Sequence, residues 1–220
     1  MLNILQVISH LDLEASGPSY SVRRLSEELS TQGVNSILCA LARDPSQIVS
    51  SNSKNTFLQN RLSGKFGYSS DLHSYIKKAT RNKQMDILHS HGLWMHPNIV
   101  GTELCRSHRI PRVVSPRGTL SRWSMENGSK NLKSMFWHLY QKRSLSQATM
   151  LHATSETEYF EIRNLGFNQP VSIIPNGIDP LLANHQCKKH GKKYRTLMYL
   201  GRIHPKKNLE LLLNAWAELA

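Results

Sequence analysis

The sequence predicts an α/β fold in which a doubly wound parallel sheet is followed by the start of a second α/β domain. Two observations lead to this prediction. Short apolar runs alternate along the chain with amphipathic segments of helical period. The first 41 residues already have the order strand, loop, helix and strand, which indicates a βαβ unit with parallel strands.

The first elements are predicted from their hydrophobic pattern. Residues 2–8 are apolar enough for a buried strand, and 34–41 form the next strand. Between them, apolar residues at helical spacing predict a helix over 19–32 that Gly33 closes. Residues 43–69 are rich in Ser, Asn and Gly and have weak periodicity, so we expect a long loop there.

The later elements continue the alternation. Ser155 and Glu158 have the spacing of a capping box at the start of a helix. The predicted elements are a helix at 70–82, a strand at 86–90, a helix at 98–108, a strand at 112–116, a basic amphipathic helix at 130–147, a strand at 149–153, a helix after Ser155 and a strand at 171–175.

The predicted domains are 1–180 for the first α/β domain, 181–195 for a basic linker and 196–220 for the start of a second domain. Residues 196–201 have the pattern of a buried strand, and a helix is expected to begin near Asn208. Because a phosphate-binding signal is followed by only one helix, we interpret the second domain as truncated.

Composition excludes several classes of protein. The hydrophobic content of 39% allows a buried core, and the net charge of +13 favours anionic partners. The three cysteines form no CxxC pair, which argues against a disulfide framework or a structural zinc site. The N-terminus lacks the features of a signal peptide and no window has the length of a membrane span, so we expect a cytoplasmic protein.

Candidate ligand contacts follow the ends of predicted strands, where open parallel sheets bind ligands. Gly17 lies in the first β-to-α loop, where a glycine lets the backbone approach an anion at a helix N-terminus, although it also suits a simple turn. His89 and His91 lie two apart at the C-terminal end of the strand at 86–90, and we expect them on opposite faces, with His91 toward the ligand. Purely structural histidines are the alternative, and a zinc site that adds His96 is a weaker one.

Two basic segments add further candidates. Arg117 ends the following strand, where a guanidinium can bind a carboxylate or phosphate, or simply be solvated. The helix at 130–147 either covers the sheet or docks on an anionic membrane surface, because lysines flank an apolar side formed by Leu132, Met135, Phe136, Leu139 and Tyr140. Covering the sheet is the favoured interpretation. Arg202 and Lys207 lie between a predicted strand and a helix start, an arrangement suited to a diphosphate.

In their order and spacing, the segments SGPSYSV, DILHSHG, SPRGTL, LHATSETE, IIPNGID and LGRIHPKKN resemble retaining glycosyltransferases of the GT-B type, specifically family 4. The resemblance implies two Rossmann-like domains, with the acceptor on the N-terminal one and a nucleotide diphosphate sugar on the C-terminal one. By resemblance, Gly17 lies near the donor phosphates, His91 near the transferred sugar as candidate catalytic residue, and Arg202 and Lys207 at the diphosphate. Arg117 remains a possible acceptor or cleft residue.

The resemblance also has implications for cofactors and for the reaction. The sequence has no Asp-x-Asp motif, which fits a GT-B enzyme without a catalytic metal or other cofactor. The expected function is hexosyl transfer to a glycan or lipid-linked acceptor, with possible peripheral membrane contact. The alternatives are a non-catalytic remnant that binds an acceptor or partner, and nucleic-acid binding driven by charge, for which the sequence shows no specific module.

Overall fold

The computed structural model describes residues 1–11, 17–42, 54–59, 66–127, 130–178, 196–201 and 203–219, without the side chains of 42, 54–59, 130 and 206. The chain divides into two compact units, Met1–Gly177 and Ile178–Ala220. The predicted linker at 181–195 lies outside the described residues, and the predicted domain boundaries stay a prediction.

The first unit is built on a parallel sheet of seven strands in the order β3-β2-β1-β4-β5-β6-β7. All neighbouring strands are parallel, so their carboxyl ends meet at one edge. This is the predicted Rossmann-like α/β fold. The strands are β1 (Asn3–His10), β2 (Asn35–Ala42), β3 (Lys54–Gln59), β4 (Ile87–His91), β5 (Arg112–Ser115), β6 (Met150–Ala153) and β7 (Val171–Ile173).

Helices follow the strands as predicted, and local signals define several of their ends. Gly33 after the first helix has a φ of 77°, and the Ser69 hydroxyl accepts a hydrogen bond from the Leu72 N–H at 3.1 Å. The helices are α1 (Gly17–Thr31), α2 (Ser70–Arg81), α3 (His96–Ile99), α4 (Gly101–Ser107), α5 (Arg122–Glu126), α6 (Lys130–Phe136), α7 (Lys142–Ser146), α8 (Glu156–Asn164) and α9 (Leu209–Leu219).

Two predictions about strands were wrong. Residues 43–69 were expected to be a loop, but 54–59 form β3, which pairs with β2 at the edge of the sheet. Residues 196–201 were expected to be a buried strand, but they form no strand, and Leu200 is 92% exposed. A strand needs a neighbour for its backbone hydrogen bonds. The hydrophobic pattern of a strand cannot show whether such a neighbour exists.

The predicted helix at 130–147 is divided by a π-helical turn, Trp137–Gln141, which joins α6 to α7. Phe136 and Trp137 are buried, whereas Met135, Leu139 and Tyr140 are each more than half exposed. We expected Leu132, Met135, Phe136, Leu139 and Tyr140 to share the side that covers the sheet, and this was wrong for Met135, Leu139 and Tyr140. The helix covers the sheet with one set of apolar side chains and leaves another set exposed.

Helices cover the sheet closely on the side that Leu88 faces. Buried apolar side chains of β1, α2 and β4 form one core cluster, and a second cluster joins β5, β6, α7 and α8. Gly101 allows α4 to approach β4, because an added Cβ would lie 2.1 Å from Cδ2 of Leu88. This packing holds the ends of β4 and β5 in place.

Candidate functional site

His91, Arg117 and Asn176 meet at the carboxyl edge of the sheet in the first unit. Nη2 of Arg117 lies 3.2 Å from Nδ1 of His91, and Nη1 of Arg117 donates a hydrogen bond to Oδ1 of Asn176. The three residues follow or end β4, β5 and β7, whose carboxyl ends share an edge. Two sequence-predicted residues, His91 and Arg117, are therefore brought into direct contact.

The expectation that His89 and His91 face opposite sides of the sheet was wrong. Residues two apart in a strand point to the same face, since side chains alternate with a period of two. The ring centroids of His89 and His91 lie 4.0 Å apart, and the ring of His152 lies 5.9 Å from that of His89. A cluster of three imidazoles therefore occupies one face.

Hydrogen bonds assign the tautomer of His91. A guanidinium has no acceptor, so Arg117 donates to Nδ1 of His91, and the proton of the neutral ring is on Nε2. This Nε2–H donates to Oε1 of Gln6 at 2.9 Å, and Nε2 of Gln6 donates to Oγ of Ser36 at 2.8 Å. His91 is 1% exposed, and both of its ring nitrogens are engaged.

A second chain of hydrogen bonds orients the other two histidines. The carbonyl of Ile174 accepts from Nε2–H of His152 at 2.8 Å, which leaves Nδ1 of the neutral ring as an acceptor. The Ser115 hydroxyl donates to this Nδ1 at 2.7 Å and accepts from Nε2 of His89 at 2.7 Å. Ser115 thus links β4 to β6 through two imidazoles.

The environment keeps the three imidazoles neutral. Burial lowers the pKa of His89 to about 3, assisted by the charges of His152 and Arg117. Burial also lowers the pKa of His91 well below its usual value, with His89, Arg117 and His152 acting in the same direction. The pKa of His152 is lowered by burial, partly offset by the Ile174 carbonyl. At neutral pH the charge of this cluster therefore resides on Arg117.

The loop that carries Arg117 is held by Glu158 of α8. Arg117 has a φ of 58°, a left-handed backbone that non-glycine residues rarely adopt. One carboxylate oxygen of Glu158 accepts from the Gly118 N–H at 2.6 Å, and the other accepts from the N–H and hydroxyl of Thr154 at 2.7 and 2.8 Å. Ser155 caps α8 as predicted, but the Glu158 carboxylate binds this loop and Thr154 instead of completing the capping box.

The remaining predicted residues are only partly described. Gly17 begins α1, and a Cβ added there would meet no described atom within 4 Å. Lys207 is exposed at the end of a 3-10 turn, Pro205–Lys207, that precedes α9. Arg202 lies outside the described residues, and Lys207 belongs to the second unit. The roles predicted for Gly17, Arg202 and Lys207 therefore stay predictions.

Sequence reasoning missed the residues that surround His91 and Arg117. Gln6, Ser115 and His152 complete the buried hydrogen-bond chains, and Asn176 was named only within the segment IIPNGID. Ser115 and His152 lie in predicted strands, but the register that pairs Ser115 with His91 is visible only in the structure. Within the described part of the chain, no group of three or more His, Cys, Asp or Glu residues is arranged to hold a metal ion.

Two of the three cysteines lie within the described residues. Cys39 and Cys105 are buried free thiols, and burial raises their pKa to about 12 and about 11. Cys187 lies outside the described residues.

None of the helices in the described ranges is long and apolar enough to cross a membrane.

Known structures share the fold of this chain at low sequence identity. Alr3699/HepE from Anabaena, solved in complex with UDP and glucose, is 15% identical with a TM-score of 0.52, over 81% of this chain and 45% of that chain. The UDP-GlcNAc 2-epimerase of Methanocaldococcus jannaschii is 10% identical with a TM-score of 0.53, over 79% of this chain and 45% of its own. The chain thus spans less than half the length of these two structures.

A third structure, of sucrose-phosphate synthase from Thermosynechococcus elongatus, is 16% identical with a TM-score of 0.52, over 80% of this chain and 88% of the solved one. No curated protein matches the sequence significantly. The sequence model of glycosyltransferase family 4 matches residues 15–181, which is more than half of the chain. By this match, the chain belongs to glycosyltransferase family 4.

Proposed function

We propose that this chain takes part in hexosyl transfer from a nucleotide diphosphate sugar to a glycan or lipid-linked acceptor, with retention at the anomeric carbon. The family match over 15–181 is the observation that supports transfer most strongly. The structure of HepE with UDP and glucose, which shares the fold, supports a uridine diphosphate sugar as the first donor to test. The carboxyl edge of the sheet is the expected place for a ligand in this fold.

In this proposal, each unit has its own task. Arg202 and Lys207 of the second unit neutralise the diphosphate as it leaves, which stabilises charge that develops in the transition state. Gly17, at the start of α1, allows the backbone to approach the donor phosphates. His91 helps to position the transferred sugar indirectly, through the Arg117 side chain that it contacts, and the Arg117 loop contributes to the acceptor side. Because two cations serve the diphosphate, the proposal requires no metal ion or cofactor.

A transfer assay tests this proposal. The natural polypeptide that contains these 220 residues is incubated with radiolabelled UDP-hexoses and with lipid-linked and oligosaccharide acceptors. We expect a labelled product with a retained anomeric configuration. Replacing Lys207 by Ala should lower kcat by at least about tenfold, since a lost charge contact in the transition state contributes about 1.4 kcal/mol or more.

An exposed lysine outside the proposed site serves as the control for Lys207. Lys78→Ala removes an exposed lysine of α2 and should leave the rate unchanged. Saccharide binding without turnover of any nucleotide sugar would contradict the transferase proposal and favour a non-catalytic binding protein. A rate unaffected by His91→Ala would contradict the part of the proposal that concerns His91.

We also propose peripheral contact with an anionic membrane surface through α6 and α7. Met135, Leu139 and Tyr140 are 51%, 57% and 51% exposed on this helix. Lys142 is exposed on the same helix, and the net charge of the chain is +13. Exposed apolar side chains flanked by cations are the features that bind such surfaces.

A further inference from the structure

His91 is poorly placed to contact a substrate directly. Its ring is buried, Nδ1 accepts from Arg117, and Nε2–H donates to Gln6. A neutral imidazole has one donor and one acceptor, so no hydrogen-bonding position of the ring is left for a sugar hydroxyl. If this edge of the sheet binds substrate, the contact has to come from a neighbour of His91.

Arg117 is the neighbour that retains unused donors. Nη2 is directed at His91 and Nη1 at Asn176, which uses two of the five N–H groups of a guanidinium. Its Nε is buried and has no hydrogen-bond partner among the described residues. A buried donor without an acceptor is unfavourable by about 1–3 kcal/mol. An incoming oxygen atom would remove this penalty.

Among the described residues, no carboxylate forms a salt bridge with the guanidinium. Burial lowers the pKa of Arg117, partly offset by the charge of Glu158, whose two oxygens already accept from Gly118 and Thr154. The adjacent imidazoles are neutral at pH 7, since burial lowers the pKa of His89 and His91. Arg117 thus carries a positive charge at a half-buried position. Solvent screens its attraction to an anion less there than at an open surface.

We infer that Arg117 is an anion-binding residue that receives a phosphate or carboxylate of the bound substrate, and that His91 is a positioning residue that orients the guanidinium from beneath. A guanidinium matches both groups through two parallel hydrogen bonds. Glu158 holds the backbone of the same loop, so the site is fixed on two sides. The inference rests on the proposed function only in naming the ligand as a substrate.

Nuclear magnetic resonance can observe this site without any substitution. Inorganic phosphate is titrated into the ¹⁵N-labelled chain at constant ionic strength, and the Nε–H resonance of Arg117 is followed after assignment with Arg117→Lys. We expect a saturable shift of this resonance with phosphate and none with an uncharged methyl glucoside. No saturable shift with phosphate would overturn the inference.

Variants separate a built site from general charge. In calorimetry, Arg117→Gln should abolish phosphate binding, and Arg117→Lys should weaken it at least about tenfold, because an ammonium lacks the planar fork. Arg122→Gln is the matched control, since Arg122 is a 91% exposed arginine five residues later at the start of α5, paired with Glu126. An equal loss in Arg117→Gln and Arg122→Gln would overturn the site.

The positioning role of His91 has its own pair of variants. Asn places an acceptor near the position of Nδ1, which faces Arg117, whereas Gln reaches the position of Nε2, which faces Gln6. We therefore expect His91→Asn to retain most phosphate affinity and His91→Gln to lose at least about tenfold. Equal affinity in the two variants would show that His91 does not act through Arg117.

Competition identifies which substrate carries the anion. Displacement of phosphate by glucose 6-phosphate or glucuronate, but not by UDP, assigns the site to an acidic acceptor, and the reverse assigns it to the donor. Either result upholds an anion site, and failure of all three to compete overturns it as a substrate site. Phosphate binding without sugar transfer would leave this inference standing while the proposed function fails.

Discussion

At the scale of single residues, the structure determines which basic side chains at the carboxyl edge of the sheet carry a charge. Three histidines that could each become cations lie close together, yet burial keeps them neutral and leaves the charge to Arg117. Because the donors and acceptors around them are fixed, each ring also has one tautomer. Residue type alone suggests a cluster of positive charges, whereas the hydrogen bonds show three neutral imidazoles next to one cation, Arg117.

This neutrality predicts how stability depends on pH. The unfolded chain binds a proton at His89 near pH 6.5, whereas the folded chain does so only near pH 3. Stability from this residue is therefore complete above pH 6.5 and falls as the pH decreases toward 3. We expect the free energy of unfolding in urea to fall by about 2 kcal/mol for this histidine between pH 7.5 and pH 5.

His91 and His152 act in the same direction, since their pKa values are also lowered. His89→Gln removes the titrating group while keeping a donor for Ser115, so it should reduce the change by about 2 kcal/mol. A change with pH that is the same in the variant would contradict the assigned pKa.

At the scale of elements, close approach of a helix to the sheet depends on one glycine. Gly101→Ala places a methyl group 2.1 Å from Cδ2 of Leu88, and this side chain, which is 1% exposed, would have to shift within the packed core. We expect the free energy of unfolding to fall by about 1–3 kcal/mol, because overpacking outweighs the better helix propensity of alanine.

Gly17→Ala is the matched control for this experiment, because an added Cβ meets no described atom within 4 Å. Urea denaturation should show it to be about as stable as the wild type. The same variant reports on function, since a methyl group that leaves stability unchanged but weakens nucleotide-sugar binding would support the phosphate role of Gly17. Similar destabilisation by the two substitutions would contradict the packing of α4 on β4.

The exposed side of α6 and α7 predicts a second property at this scale. Leu139→Asp puts a negative charge among exposed apolar side chains and should reduce co-sedimentation with vesicles rich in phosphatidylserine at least about fivefold. Phe160→Asp, at a 59% exposed position of α8, has the same change in charge and should have little effect. Sedimentation that does not depend on acidic lipid content, or that both variants reduce equally, would argue against membrane docking.

At the scale of the whole molecule, the two compact units differ in how much they bury. The first unit contains three clusters of buried apolar side chains, whereas none of the residues of α9 in the second unit is buried. Helices as short as 11 residues are marginal without tertiary packing. Local stability should therefore differ strongly between the units.

Hydrogen exchange measures this difference. We expect the amides of α9 to exchange at least about 100-fold faster than those of α1, a helix with buried Val22 and Ser26. Equal protection of the two helices in the monomer would contradict the prediction.

Much of the fold was predictable because it depends on patterns within each segment. Alternating hydrophobic runs identified β1, β2 and β4 to β7, and Gly33 and Ser155 identified helix ends. The missed strand β3 lies in a polar segment, where pairing with β2 overrides composition. The incorrect strand at 196–201 shows the converse, since an apolar pattern without a pairing neighbour does not form a strand.

The candidate site was predictable only in part. The position of His91 and Arg117 after parallel strands indicated the correct edge of the sheet. Their mutual contact, and the support from Gln6, Ser115 and Glu158, join residues far apart in the chain. Single-sequence patterns contain no information on such long-range side-chain contacts.

The sequence by itself determined most of the order of strands and helices, the parallel sheet and the edge at which ligands are expected, because these follow from local periodicity and the handedness of βαβ connections. Only the tertiary structure decided which of the basic residues at that edge remains charged. Burial neutralises His91 while Arg117 keeps its proton and unused donors, and burial is a property of the assembled sheet rather than of any segment.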